Sequence, residues 1–284
     1  MPVSVVSTIA DLRERLDAHR ASGRAVGFVP TMGYLHEGHA SLMQSARASN
    51  GVVVVSIFVN PLQFGPSEDL DAYPRDLSGD LALVERSGVE LVFAPSVEEM
   101  YPSPVRTTVS VSGVSEALEG RTRPTHFAGV ATVVAKLFAI VGPSRAYFGE
   151  KDFQQLAVIQ QMVRDLSLPV EVVGCPTVRE SDGLAMSSRN AYLSAPERAA
   201  APVVHAALQA GRRAILAGTT DPAEVRGIIR ALIAAEPLAD LDYAEVVDAI
   251  TFDVPDPLTG DLRLLAAVRF GGARLIDNIG VQVG

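Results

Sequence analysis

AVGFVPTMGYLHEGHASLMQSARASNGVVVVSIFV, residues 25–59, is the stretch that decides the fold. Ala25–Val29 is a short apolar run that reads as a buried strand, and Pro30–His39, PTMGYLHEGH, leaves it in a polar turn. From His39 to Ser49 the residues Leu42, Met43 and Ala46 recur at helical spacing, and Gly51 stands where a helix C-terminal cap is expected. Val52–Val59 then runs VVVVSIFV, apolar on both faces as a strand inside a parallel sheet must be. Strand, turn, helix and strand make one βαβ unit.

The same alternation extends outward. Residues 8–21 precede it as a helix, and Asp76–Ser87, Gly129–Val141 and Asp152–Leu166 follow as helices. Between and after them, Val89–Phe93, Arg145–Phe148 and Val170–Gly174 read as strands. The expected fold class is α/β, a doubly wound, Rossmann-like parallel sheet over residues 1–177. Past that point the pattern changes. Ser194-Ala195-Pro196-Glu197 is a capping box opening an alanine-rich helix to about Ala217, and Asp221-Pro222-Ala223-Glu224 opens another. Tyr243–Val247, Leu262–Phe270 and Ala273–Ile276 read as strands between Pro/Gly turns, so residues 178–284 form a smaller α+β domain.

Composition narrows the function. A 284-residue chain with 48% hydrophobic residues in short runs is globular, and none of those runs approaches the roughly 18 residues of a membrane span. The N-terminus lacks the basic-then-apolar pattern of a secretory signal, and one cysteine, Cys175, makes no internal disulfide, so a cytoplasmic protein is expected. A net charge of −9 argues against general nucleic-acid binding, which needs a basic face. Small anions remain acceptable ligands wherever positive groups gather locally.

The histidine turn is such a place. His36 and His39 lie three residues apart at a helix opening, where unpaired N–H groups and the dipole favour phosphate oxygens. The spacing is one residue short of the H-E-x-x-H of zinc proteases, and a turn without chemistry is the ordinary alternative. Ligands of a doubly wound sheet sit at the carboxyl ends of its strands. There the chain puts PTMGYLHEGH, NPLQF, GEKDFQQ and, further on, DGLAMSSRN. Neither G-x-G-x-x-G nor G-x-x-x-x-G-K-[ST] occurs, so phosphate contacts fall to the histidine turn and the serines.

PTMGYLHEGH, SIFVNPLQF, DAYPRD, RPTHFAGV, FGEKDFQQL and DGLAMSSRNAYL, in this order and spacing, resemble the pantothenate synthetase family, and the closing ARLIDN resembles its C-terminus. The resemblance implies an ATP-dependent ligase that condenses pantoate with β-alanine through a pantoyl-adenylate, releasing pyrophosphate and AMP. It implies Mg2+ with ATP, and a homodimer. His39 matches the family's proton donor, with His36 beside it. Lys151, one of two lysines with Lys136, is a compact ammonium suited to a transferring phosphoryl group. Met32, Gly33, Gly149, Asp152 and Val178 match nucleotide-contacting positions, and Met186, Ser187, Ser188 and Arg189 resemble the mobile nucleotide loop. Gln63 and Gln155, supported by Asn60 and Tyr73, match the pantoate pocket, and amides suit a hydroxy acid as donors and acceptors. Arg123 and His126 belong to a substrate loop. Asp80 resembles one member of an acidic pair that would serve the metal, although the preceding position here is Gly79. A mixed anhydride hydrolyses in open water, so the serine loop or the small domain is expected to act as a lid.

Two other classes share some of these features. A nucleotidylyltransferase would use the same histidine turn but keep the nucleotide in its product, releasing no AMP. A non-catalytic ATP sensor would release no pyrophosphate, and it has no use for Lys151 together with His39 and two pantoate glutamines.

Overall fold

The computed structural model describes residues 3–65, 70–71 and 73–284, so Ala72 of the DAYPRD block lies outside the described residues. The chain divides into two compact units, Met1–Glu150 with Gln154–Pro176, and Lys151–Phe153 with Thr177–Gly284.

The first unit is a six-stranded, wholly parallel sheet of β1 (Ser4–Val6), β2 (Val26–Thr31), β3 (Val52–Ile57), β4 (Leu91–Phe93), β5 (Ser144–Gly149) and β6 (Val170–Cys175), in the order β1-β4-β3-β2-β5-β6. Its helices are α1 (Ile9–Ala21), α2 (Glu37–Ser49), α3 (Leu77–Arg86), α4 (Val97–Met100), α5 (Glu119–Thr122), α6 (His126–Val141) and α7 (Phe153–Asp165). Both faces of the sheet are covered, which is why its strands read as unbroken apolar runs. On β2, Phe28 meets Phe138 of α6 edge to face at 6.3 Å, while its neighbour Val29 packs with Leu42, Met43 and Ala46 of α2. Gly51 does not cap α2. Asn50 ends that helix in an extended conformation, and Gly51 is needed because a Cβ there would lie 2.9 Å from Arg24. β1 escaped sequence reading because three residues carry too little pattern.

Strand order fixes where a site can form. From β2 the chain moves outward through β3 to β4, then returns to β5 on the other side of β2. The reversal leaves a crevice beyond the carboxyl ends of β2 and β5, the usual ligand position in such sheets. PTMGYLHEGH leaves β2 and NPLQF leaves β3, and both are on this edge.

The second unit holds α8 (Ala195–Ala200), α9 (Val203–Leu216) and α10 (Pro222–Ala234) with an antiparallel sheet of β7 (Asp240–Asp248), β8 (Gly260–Phe270) and β9 (Ala273–Val283), in that order. Val204, Leu208, Ile229 and Ile233 bury their side chains with Val246, Leu264 and Val268 of the sheet. The single helix expected to run to Ala217 is two helices, broken at Ala201 and Pro202. Proline has no N–H to return to the preceding turn. β9 also runs past Ile276, the expected end of the strand, through Asp277 and Asn278 to Val283. Both residues stay in register with β8, opposite Ala266 and Leu265.

Asp277 is tolerated there because it is paired. Its carboxylate takes both guanidinium nitrogens of Arg179, at 2.7 and 2.9 Å, and His205 Nδ1 lies 3.6 Å away. Burial alone would raise this carboxyl; the nearby His205 ring and the hydrogen bonds and charge of Arg179 bring it below the ordinary carboxylate value. A lowered native value adds stability that is complete above the unfolded pKa of about 3.9 and is lost as pH falls through the native one. Asp277→Asn should leave Arg179 without its counter-charge at a cost of about 3–5 kcal/mol. Urea unfolding should show that loss at neutral pH, and the gap to wild type should narrow as pH drops below about 4.

Candidate active site

The turn after β2 is built by one buried carboxylate. Gly33 and Tyr34 both have left-handed backbone, φ +85° and +52°, and this aims the N–H groups of Tyr34 and Leu35 at Asp80. Asp80 Oδ2 accepts from Tyr34 at 3.0 Å and Oδ1 accepts from Leu35 at 2.6 Å. A Cβ on Gly33 would sit 2.9 Å from Asp80 Oδ2, so only glycine fits between them. Burial outweighs the two backbone bonds and holds the Asp80 carboxyl above its ordinary value. Asp80, expected as a metal ligand, has both oxygens engaged in shaping the turn.

The turn delivers the two histidines. His36 is the N-cap of α2, and its Nδ1 accepts from the Gly38 N–H at 3.1 Å. His39 completes a capping box, its Nδ1 accepting from the His36 N–H at 3.2 Å. A ring nitrogen that accepts from an amide carries no proton, so in the neutral form both rings are protonated at Nε2. The two rings, centroids 4.2 Å apart, therefore carry Nε2–H donors at the positive end of a helix. That is an arrangement for an anion.

On the same edge, a 3-10 turn, Pro61–Gln63, follows β3, with Asn60 as its cap. Gln63 is 8% exposed; Asn60 Nδ2 donates to its Oε1, and its Nε2 lies 2.7 Å from Met32 Sδ. Arg123 and His126 converge on the Gln63 backbone carbonyl, at 3.4 and 3.0 Å. The structure thus joins four expected site residues, Met32, Asn60, Arg123 and His126, around Gln63. Tyr73 packs edge to face on Phe64 at 5.8 Å. Gln155 is half-buried on the first turn of α7, beyond Gly149 at the end of β5. Its neighbour Gln154 is 3% exposed and committed elsewhere, donating to the carbonyls of Val114 and Ala117. Cys175 closes β6, and burial pushes its thiol up, away from nucleophilic use.

The remaining expected residues belong to the second unit. Lys151 is not the exposed charge its sequence context allows: its side chain is 16% exposed, with Nζ 3.7 Å from Asp152. Lys151 and Ser187 line one small cavity together with Asn190, His205 and Asp277. Val178 accepts from the Met186 N–H at 3.0 Å, closing a tight hairpin around Gly183. Ser187 then caps a 3-10 turn that contains Ser188 and Arg189. Sequence reading missed Asn278, whose Nδ2 donates to the Lys151 carbonyl at 2.9 Å. Its signal was ARLIDN, seen without a role.

Fold and turn together define a doubly wound α/β protein with a histidine pair capping a helix at its switch point. The family model for pantoate-beta-alanine ligase matches residues 4–280. The chain belongs to the pantoate–β-alanine ligase family. It is 53% identical over 279 residues to the pantothenate synthetase of Acetivibrio thermocellus, an alignment covering 98% of this chain and 99% of that one. The crystal structure of pantothenate synthetase from Thermus thermophilus superposes with a TM-score of 0.92 at 52% identity, covering 98% and 99% of the two chains. The Francisella tularensis pantoate-beta-alanine ligase, solved with beta-gamma ATP and beta-alanine, superposes at 0.80 with 33% identity, covering 98% and 97%.

If Asp80 holds the turn, Asp80→Ala should strand two backbone N–H groups and cost about 2–5 kcal/mol. Hydrogen exchange read residue by residue should speed up at Tyr34 and Leu35 before it does in the centre of β2 and β3.

Proposed function

We propose that this chain condenses pantoate with β-alanine at the expense of ATP, in two steps at one site. The observation that carries the reading is the Asp80-held turn with its two Nε2–H donors at the β2 switch point, in a chain of this family. In the first step a pantoate carboxylate oxygen attacks the α-phosphorus of ATP, and the bond from that phosphorus to pyrophosphate breaks. In the second, the amine of β-alanine attacks the acyl carbon, the acyl C–O bond breaks, and AMP leaves as the amine gives up its proton. Each step brings anions together, so the work is positioning and charge neutralisation.

The roles follow from donor chemistry. His36 and His39 donate Nε2–H to phosphate oxygens, with His39 as proton donor to the leaving group. Lys151 offsets charge on the transferring phosphoryl group. Met32, Gly33, Gly149, Asp152 and Val178 contact the nucleotide, and Met186, Ser187, Ser188 and Arg189 form its loop. Gln63 and Gln155, with Asn60 and Tyr73, bind pantoate, and Arg123 and His126 support Gln63. Residues 178–284 serve as lid. Magnesium would arrive with ATP, which is where such an ion keeps most of its ligands. The described residues contain no cluster of three or more His, Cys, Asp or Glu side chains placed to hold a metal, and each oxygen of Asp80 already accepts a backbone N–H, so Asp80 would offer the ion only its remaining lone pairs. No step is assigned to the ion. We place the enzyme in the cytoplasm as a homodimer; among the described residues no helix is long and apolar enough to cross a membrane.

The test is pyrophosphate and AMP release from purified protein with Mg-ATP and pantoate, with and without β-alanine. A stoichiometric pyrophosphate burst without the amine, turning into sustained AMP release with it, is expected. Absence of both would defeat the reading. In the same single-turnover assay Lys151→Ala should slow the burst roughly a hundredfold or more while unfolding like wild type. An unchanged burst would remove Lys151 from the chemistry.

A further inference from the structure

Asn60 is oriented by backbone groups whose chemistry cannot be reversed. The Leu62 N–H, which only donates, meets one end of its amide at 3.3 Å, and that end is therefore Oδ1. The Gly129 carbonyl, which only accepts, meets the other end at 3.2 Å, which is therefore Nδ2. Gly129 can approach because it has no Cβ to collide with the carbonyl of Leu62. Two consequences follow for the side chains on either side of Asn60. The Tyr101 hydroxyl, 2.9 Å from Oδ1, must donate to it. Gln63 Oε1, 3.2 Å from Nδ2, must accept.

The Gln63 amide is thereby turned with its oxygen toward Asn60 and its nitrogen the other way. That nitrogen lies against Met32 Sδ, a weak acceptor that leaves its donor capacity for a ligand. We propose that Tyr101 is a positioning residue: its bond to Oδ1 is shorter than either backbone bond, and it holds the backbone-oriented Asn60 in place so that Gln63 stays fixed with N–H rather than C=O toward the bound acid. The group recognised at Gln63 is then an oxygen that accepts, a carboxylate or a hydroxyl lone pair. This rests on the reading of Gln63 as a pantoate ligand.

Tyr101 is well placed for a fixed donor. It follows α4, its ring meets Phe58 edge to face at 6.0 Å, and Lys136 of α6 lies 5.4 Å from the ring centroid. Burial pushes its hydroxyl up to about 12, so the proton it donates stays in place at working pH. Removing only the hydroxyl keeps the ring and both of these contacts.

The experiment measures KM for pantoate and for ATP in wild type, Tyr101→Phe and Gln63→Glu, with thermal unfolding of each. Gln63→Glu replaces donors by a carboxylate and should raise KM for pantoate far more than KM for ATP. Tyr101→Phe should raise KM for pantoate roughly three- to tenfold, the worth of one neutral hydrogen bond, with KM for ATP unchanged. Its melting temperature should fall by no more than about 4 °C. If Gln63→Glu leaves KM for pantoate unaltered, the assignment of Gln63 is wrong and the relay with it. If Gln63→Glu acts as expected but Tyr101→Phe changes neither constant, or raises both equally, the relay is overturned.

Discussion

The contact between Asp80 and the two amides of Tyr34 and Leu35 is the constraint on which the candidate site depends. Left-handed backbone at a tyrosine costs about 1–3 kcal/mol and persists only where the surroundings enforce it. Asp80 does so from α3, an element distant in sequence from the turn it holds. Without that grip Gly33 and Tyr34 have no reason to turn as they do, His36 is not delivered to the N-cap of α2, and the histidine box does not form. A negative charge is used to shape a site that then meets anions, and it does so from a position where its own oxygens are covered by N–H groups.

One principle recurs at His36, His39 and Asn60 of the first unit: the direction of the side chain is set by a backbone partner. Nδ1 of both histidines accepts from main-chain amides, so Nε2 donates. Asn60 is read from a main-chain donor and a main-chain acceptor, so the amide of Gln63 has one sense. Both arrangements present N–H at the same edge of the sheet, as a site for negatively charged reactants requires. The second unit handles charge differently. There Arg179 and Asp277 neutralise each other inside the unit, and their neighbour Asn278 holds the backbone of Lys151.

Much of this was legible in the residue pattern, and what was not has local causes. The βαβ unit of residues 25–59 could be read because doubly covered strands leave no polar alternation to confuse with helix. The location of the site followed from the same alternation, since ligands of such sheets gather at strand ends. The residues named from blocks such as NPLQF and RPTHF meet around Gln63 as a group. Asp80 was named for the metal from its resemblance to the family's acidic pair, and its hold on the turn was not legible because its two amide partners lie 46 and 45 residues away. The last strand was read only to Ile276 for a similar reason: the arginine that makes a buried Asp277 acceptable in its continuation is 98 residues upstream. The break at Pro202 was visible in principle, but helical periodicity on both sides masked it.

The central claim is that this site joins a carboxylate to the α-phosphorus of ATP before the amine arrives. Pantoate labelled with 18O in both carboxylate oxygens tests it most directly. The account predicts that one label per turnover leaves in AMP and the other remains in the amide carbonyl of the product. Label found in inorganic phosphate, or none in AMP while product forms, would contradict it.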